Sequence, residues 1–207
     1  MTSYFSFKKT TQAVHFLISK LGMSNFMKLM KLLYFADRYH LRSYGGTLTS
    51  DDYKAMKLGP VGSAAKNLLK QDELFFENLE PEDITYFENL LSIKDMDVAV
   101  HNPCTYDELS SSEKEALDFT IANFGGFDQF ALAEITHDYP EWKKFESYFK
   151  NRQAKVIDME NIDFLKNPVL EQSSFIQRYL GGIDPFATDE ESLRSIEEYL
   201  VESGDCK

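Results

Sequence analysis

Four histidines and two cysteines are the side chains in this chain that most readily bind metal or act as nucleophiles, and their spacing builds little. His101-x-x-Cys104 offers two ligands without a second pair, whereas structural zinc takes four. Cys206 is the only other thiol, so neither a four-thiolate site nor a disulfide framework follows. His137-Asp138, with Glu134 and Trp142 nearby, can be drawn as an acid/base cluster, but no nucleophile or metal set stands beside it. The alternative role for His137 is to satisfy backbone carbonyls at a helix C-terminus, where positive charge is also favoured. No glycine loop has phosphate-binding spacing, and there is no Gly-x-Ser-x-Gly elbow. The residues therefore predict no catalytic centre, no cofactor and no metal site. A small enzyme built on His137 and Asp37 is the competing expectation.

The elements that must position these residues are supported by composition. The 207 residues are 43% hydrophobic, with 17 Phe and 11 Tyr, enough for one substantial core. No apolar run approaches the ~18 residues that span a bilayer. The first residues lack the basic and apolar blocks of a secretory signal, which makes the cytoplasm the expected location. The net charge of −12 is unevenly spread: +8 over residues 1–70, −15 over 71–149 and −5 over 150–207. So acidic a chain should repel a nucleic-acid backbone, and no separable basic domain or helix-turn-helix is evident. The basic N-terminal part could face an acidic partner patch, RNA, or the chain's own acidic middle.

Apolar periodicity predicts a first helix from a Thr10 or Thr11 cap to Leu21, stopped by Gly22. Ser24 is the expected cap of a second helix reaching Arg42, with Gly45-Gly46 after it. At about 100° per residue, Lys28, Lys31, Arg38 and Arg42 lie within about 80° of one another, and the remaining faces are apolar or aromatic. This helix should be central to the core and expose one narrow basic stripe. Those four cations belong either to a partner-binding face or to an internal clamp on the acidic middle. Tyr34 and Trp142 are further partner-binding candidates, with Trp142 equally placed to anchor the core. Asp37 falls among apolar neighbours and needs an internal ion pair, a cap contact or a ligand.

Thr47–Thr49 and Tyr53–Leu58 predict a hairpin, or a stub and a helical turn, with Gly59-Pro60-Val61-Gly62 as the breaker. Short helices follow from Ser63 and Pro81, and Val98-Ala99-Val100 forms a strand. Ser110-x-x-Glu113 is a capping box, Asp128 caps the next helix, and Pro140 opens another. Thr188-x-x-Glu191 is a second capping box, opening an acidic helix near 189–202 with Leu193, Ile196, Tyr199 and Leu200 as its docking stripe. The expected fold class is mainly α: a compact helical domain with a small β-hairpin or short strands and a C-terminal helical appendage.

Three segments together resemble the Panacea (SocA-like) antitoxin domain. They are Lys28-Leu29-Met30-Lys31-Leu32-Leu33-Tyr34-Phe35-Ala36-Asp37, then Ala55-x-x-x-Gly59-Pro60-Val61, then Leu109–Glu113 through Ala131–His137 to Pro140-Glu141-Trp142. Their order and spacing cover residues 10–150, so the expected division is a domain at 1–150, with 75–105 as a variable insertion, and an extension at 151–207. The resemblance implies structural roles for Leu29, Leu32, Leu33, Ala55, Gly59, Pro60, Val61 and His137. It implies an antitoxin that binds and inactivates a cognate toxin encoded by a partner gene, the adjacent one being expected; the expected mechanism is steric, a preformed face blocking the toxin, with no metal or cofactor. Delivery of that toxin to a protease is the other mechanism the residues leave open.

Overall fold

The computed structural model describes residues 5–203. Helix α1 (Phe7–Leu21) starts earlier than the expected threonine caps, with Ser6 at the N-cap. Thr11 does not interrupt it because its hydroxyl donates back to the Phe7 carbonyl at 2.9 Å. Gly22, at φ 78°, ends the helix. Strand β1 (Ser24–Asn25) takes up the serine expected to cap α2 (Phe26–Tyr44). Asn25 caps it instead, accepting from the Met27 amide at 3.0 Å. Gly45 closes α2 in the left-handed conformation.

The hairpin lies one step along from its expected place. Strand β2 (Tyr53–Met56) pairs with β3 (Gly59–Gly62), so the supposed breaker is itself a strand. Pro60 is tolerated there because β3 is the edge of a sheet ordered β3-β2-β6. Helix α3 (Ser63–Leu69) follows directly. Its first amides are held from outside the helix: Asp51 accepts from Ala64 at 2.9 Å and Ala65 at 2.8 Å.

Between residues 75 and 105 the chain passes from α4 (Glu73–Phe76) to α5 (Pro81–Leu90), then β4 (Leu91–Lys94) and β5 (Asp97–Val100). The second sheet is ordered β1-β5-β4, and buried Val98 sits opposite Ser24. Helix α6 (Ser111–Phe124) begins with both halves of the Ser110–Glu113 capping box. Asp128 caps α7 (Gln129–Thr136), and Pro140 opens α8 (Pro140–Lys143), followed by α9 (Glu146–Lys150).

Beyond Lys150 the chain keeps contributing to the interior. Strand β6 (Val156–Asp158) adds to β2. Two 3-10 turns, Asn161–Leu165 and Leu170–Gln172, lead to α10 (Ser174–Leu180) and α11 (Glu190–Ser203). Asp189 caps α11, accepting from Ser192, while Thr188 donates to the Phe186 carbonyl. Leu193 and Leu200 are buried and Tyr199 is 60% exposed, so the expected stripe docks through its leucines. The core is aromatic: Phe35 stacks on Phe124 with centroids 3.9 Å apart, and Phe186 lies against both. The fold is mainly α with short strands.

Candidate functional site

The basic stripe of α2 is covered, contrary to the expectation that it reaches solvent. Lys31, Arg38 and Arg42 are 1%, 0% and 3% exposed, and Lys28 is half-buried. Each finds acceptors inside the protein, which is what allows a cation to be buried. Lys28 donates to the Gly125 carbonyl at 2.7 Å. Arg38 meets Glu141 at 2.6 Å and the Lys166 carbonyl at 2.8 Å, and lies 4.4 Å from the Tyr139 ring centre. Arg42 donates to the carbonyls of Phe164 and Phe186 and to Asn167. Burial and the neighbouring Arg38 bring its guanidinium down to about 10. The chain after residue 150 thus lies over this face of α2 and supplies most of its acceptors. Tyr34 is likewise buried, its hydroxyl donating to Glu141.

The polar residues singled out for chemistry are engaged separately. Among the described residues Asp37 has no ion-pair partner. It accepts from the Thr49 amide at 2.8 Å, the Thr49 hydroxyl, and Tyr53 at 2.7 Å. Burial raises its carboxyl above the ordinary range, opposed by those hydrogen bonds. Asp138 caps α10, accepting from the amides of Phe175 at 2.6 Å and Ile176 at 2.8 Å. His137 does not act as a cation at its helix end. Burial, with Lys31 and Lys150 nearby, lowers it to about 4, against a weaker backbone hydrogen bond with Lys57. Asp37 and His137 therefore belong to different networks. Among the described residues no group of three His, Cys, Asp or Glu is arranged to hold a metal ion.

The three resembling segments meet at one place. Lys31, from α2, donates to the Pro60 carbonyl of β3 at 2.7 Å, and burial lowers its ammonium to about 7. Gly59 packs so closely that an added Cβ would lie 2.2 Å from the Thr136 hydroxyl and 2.7 Å from the Lys31 nitrogen. Its φ of +95° also disfavours any side chain. Trp142 donates to the Met56 carbonyl at 2.8 Å, and its ring is stacked between His137 and Phe149. Leu29, Leu32, Leu33 and Ala55 are buried around this junction, and Val61 is partly buried.

A surface cavity of about 760 Å³ opens over the junction. Its floor is apolar: Phe26, Met27, Met30, Met56, Val61 and Phe149. Cations surround it, with Lys31 at the floor and Lys57, Lys66, Lys70, Lys150, Arg152 and Lys155 on the walls and rim. Among the described residues no carboxylate lines it. Among the described residues only Lys150 of these forms an ion pair, with Glu146 at 3.0 Å. Elsewhere the basic N-terminal part does clamp the acidic middle, through Lys8–Asp83, Lys9–Glu113 and Arg38–Glu141. The groove was not foreseen. Its only trace in the sequence is the basic excess of residues 1–70 together with the Lys150, Arg152, Lys155 cluster.

A family model described as Antitoxin SocA-like, Panacea domain, matches residues 29–143, more than half of the chain and within the span of the three segments. No curated protein and no solved structure matches the chain. No helix among the described residues is long and apolar enough to cross a membrane.

Proposed function

Because the chain belongs to the SocA-like antitoxin family with a Panacea domain, we propose that it neutralises a toxin protein by binding it directly and obstructing its active surface. Family membership points to an antitoxin role, and the single structural observation that supports a binding mechanism is the preformed groove over the Lys31–Pro60–Trp142 junction. The junction is fixed by hydrogen bonds from three distant segments, so the groove does not have to be assembled on contact. A surface ordered in advance loses less entropy on binding. The toxin is taken to be the product of the adjacent gene, and the complex to form in the cytoplasm, with no membrane or nucleic acid involved.

Co-expression tests this directly. The chain should rescue growth from the neighbouring gene's product and co-purify with it, and the toxin's cellular level should hold or rise. A falling toxin level that depends on a protease replaces steric inhibition with delivery for degradation. Rescue without any complex removes the binding mechanism altogether. His137→Ala should leave rescue intact in any variant that folds; loss of rescue in a stably folded variant would instead favour an enzyme.

A further inference from the structure

The cations of the groove are its most informative feature. The chain carries 34 Asp and Glu against 22 Lys and Arg. Unpaired cations ringing one apolar cavity are therefore against the overall balance. They come from four separate segments: Lys31 from α2, Lys57 from the β2–β3 turn, Lys66 from α3 with Lys70 at its C-cap, and Arg152 and Lys155 from the loop before β6. Donors for one anionic headgroup would converge on a point, whereas these surround an extended apolar floor. Three floor residues are methionines, whose unbranched side chains adapt to the shape of an incoming apolar surface. A nucleic acid would face the repulsion of a chain at −12, and neither aromatic of the floor is an open platform: Phe149 is 9% exposed, and Phe26 is half-buried with the Lys70 ammonium 5.6 Å from its ring centre.

We propose that this groove receives an apolar segment of the partner protein flanked by Asp and Glu, the carboxylates meeting the rim and the apolar side chains filling the floor. The mode is that of an amphipathic segment laid into a hydrophobic groove. The identity of the partner rests on the antitoxin assignment; the chemistry of the occupant rests on the groove alone.

The test is binding of the purified full chain to the neighbouring gene's product, with two sets of charge reversals. The first is Lys70→Glu, Arg152→Glu and Lys155→Glu, all exposed rim positions. The second is Lys20→Glu, Lys94→Glu and Arg194→Glu, equally exposed and outside the groove. The rim set should weaken binding by roughly 30-fold or more and flatten its salt dependence, and the control set should change it by no more than about threefold. Both should melt with the wild type. Leu58→Ser, on the groove wall, should weaken binding without changing salt dependence. Equal affinity for the rim set and the wild type overturns the groove as the docking surface while leaving the antitoxin assignment standing. If the neighbouring product forms no complex, that assignment fails, and a fluorescein-labelled helical Leu/Glu peptide decides the groove. Saturable binding that the rim set abolishes supports it. No binding, or displacement by decanoate or single-stranded DNA at lower concentration than by unlabelled peptide, overturns it.

Discussion

Replacing Lys31 with Met should make the protein more stable. The lysine is wholly buried, has one hydrogen-bond acceptor, the Pro60 carbonyl, and holds its ammonium at about 7 where an exposed lysine sits at 10.5. Each unit corresponds to ~1.4 kcal/mol, so keeping the group charged in the folded state costs on the order of 5 kcal/mol. Methionine follows the same path with a similar volume. It loses the bond to Pro60 and leaves that carbonyl short of a donor, which returns about 1–3 kcal/mol. A net gain of ~2–4 kcal/mol remains, or a rise of roughly 4–16 °C for a chain of this size. The pH dependence identifies the cause. Because the folded group titrates below the unfolded one, the penalty is fully present below pH 7 and is relieved as pH rises from 7 towards 10.5. Thermal melts followed by circular dichroism at pH 6, 7.5 and 9.5 should show Lys31→Met ahead by most at pH 6 and by least at pH 9.5. A variant less stable than wild type at pH 6, or an advantage that ignores pH, would refute the idea that this ammonium is a buried liability.

Gly59→Ala should destabilise by roughly 2–4 kcal/mol in urea titration, since it combines a φ of +95° with contact on Thr136 and Lys31. Arg38→Met strands the fully buried Glu141 and should cost about 3–5 kcal/mol, whereas Arg38→Met with Glu141→Leu should recover most of that; additive losses in the double-mutant cycle would contradict a coupled pair. His137 is neutral when folded and titrates near 4 against an ordinary 6.5, so its contribution is lost as pH falls through that window, by up to about 3 kcal/mol. His137→Gln should flatten the melting profile between pH 6.5 and 4, and an unchanged slope would assign the acid sensitivity to other groups.

The elements were largely legible because their signals are local. Gly22 and Gly45, the Ser110–Glu113 box, Asp128 and Pro140 each mark a boundary with the side chain or φ that the boundary requires. The misplacements share a cause: a residue competent to cap or break an element was claimed by another bond, local or distant. Ser24 pairs with Val98 across a strand, Thr11 bonds within its own helix, and Gly59–Gly62 is held flat by β2. The same limit applies to the site. Periodicity placed Lys31, Arg38 and Arg42 on one face of α2, but could not show that carbonyls from residues 164–186 would lie over Arg38 and Arg42. Asp51, Asp138 and Asp184 reach partners far along the chain or in other elements, and no spacing rule announces such bonds. The groove needed four segments brought together before its charge could be seen.

Once assembled, the cations divide by what lies within reach. Arg38 and Arg42 are enclosed and saturated by internal acceptors, so removing them exposes other buried groups and registers as lost stability. Lys70, Arg152 and Lys155 stand in solvent around an apolar floor, and their removal leaves nothing inside the protein unsatisfied. Several carboxylates are committed elsewhere, Glu113 to Lys9 and the α6 cap, Asp163 to Lys144 and Lys166, Glu141 to Arg38, and among the described residues none lines the groove. With those acids held in place, the protein does not neutralise its own groove. The groove is lined by cations without a carboxylate among the described residues, on a chain whose net charge is −12. An acidic partner would be repelled over most of the surface and attracted at one mouth, which favours a single docking orientation and a salt-sensitive association rate. If rim reversals alter the off-rate alone and leave the on-rate and its salt dependence as in the wild type, this steering is absent and the rim acts only by contact.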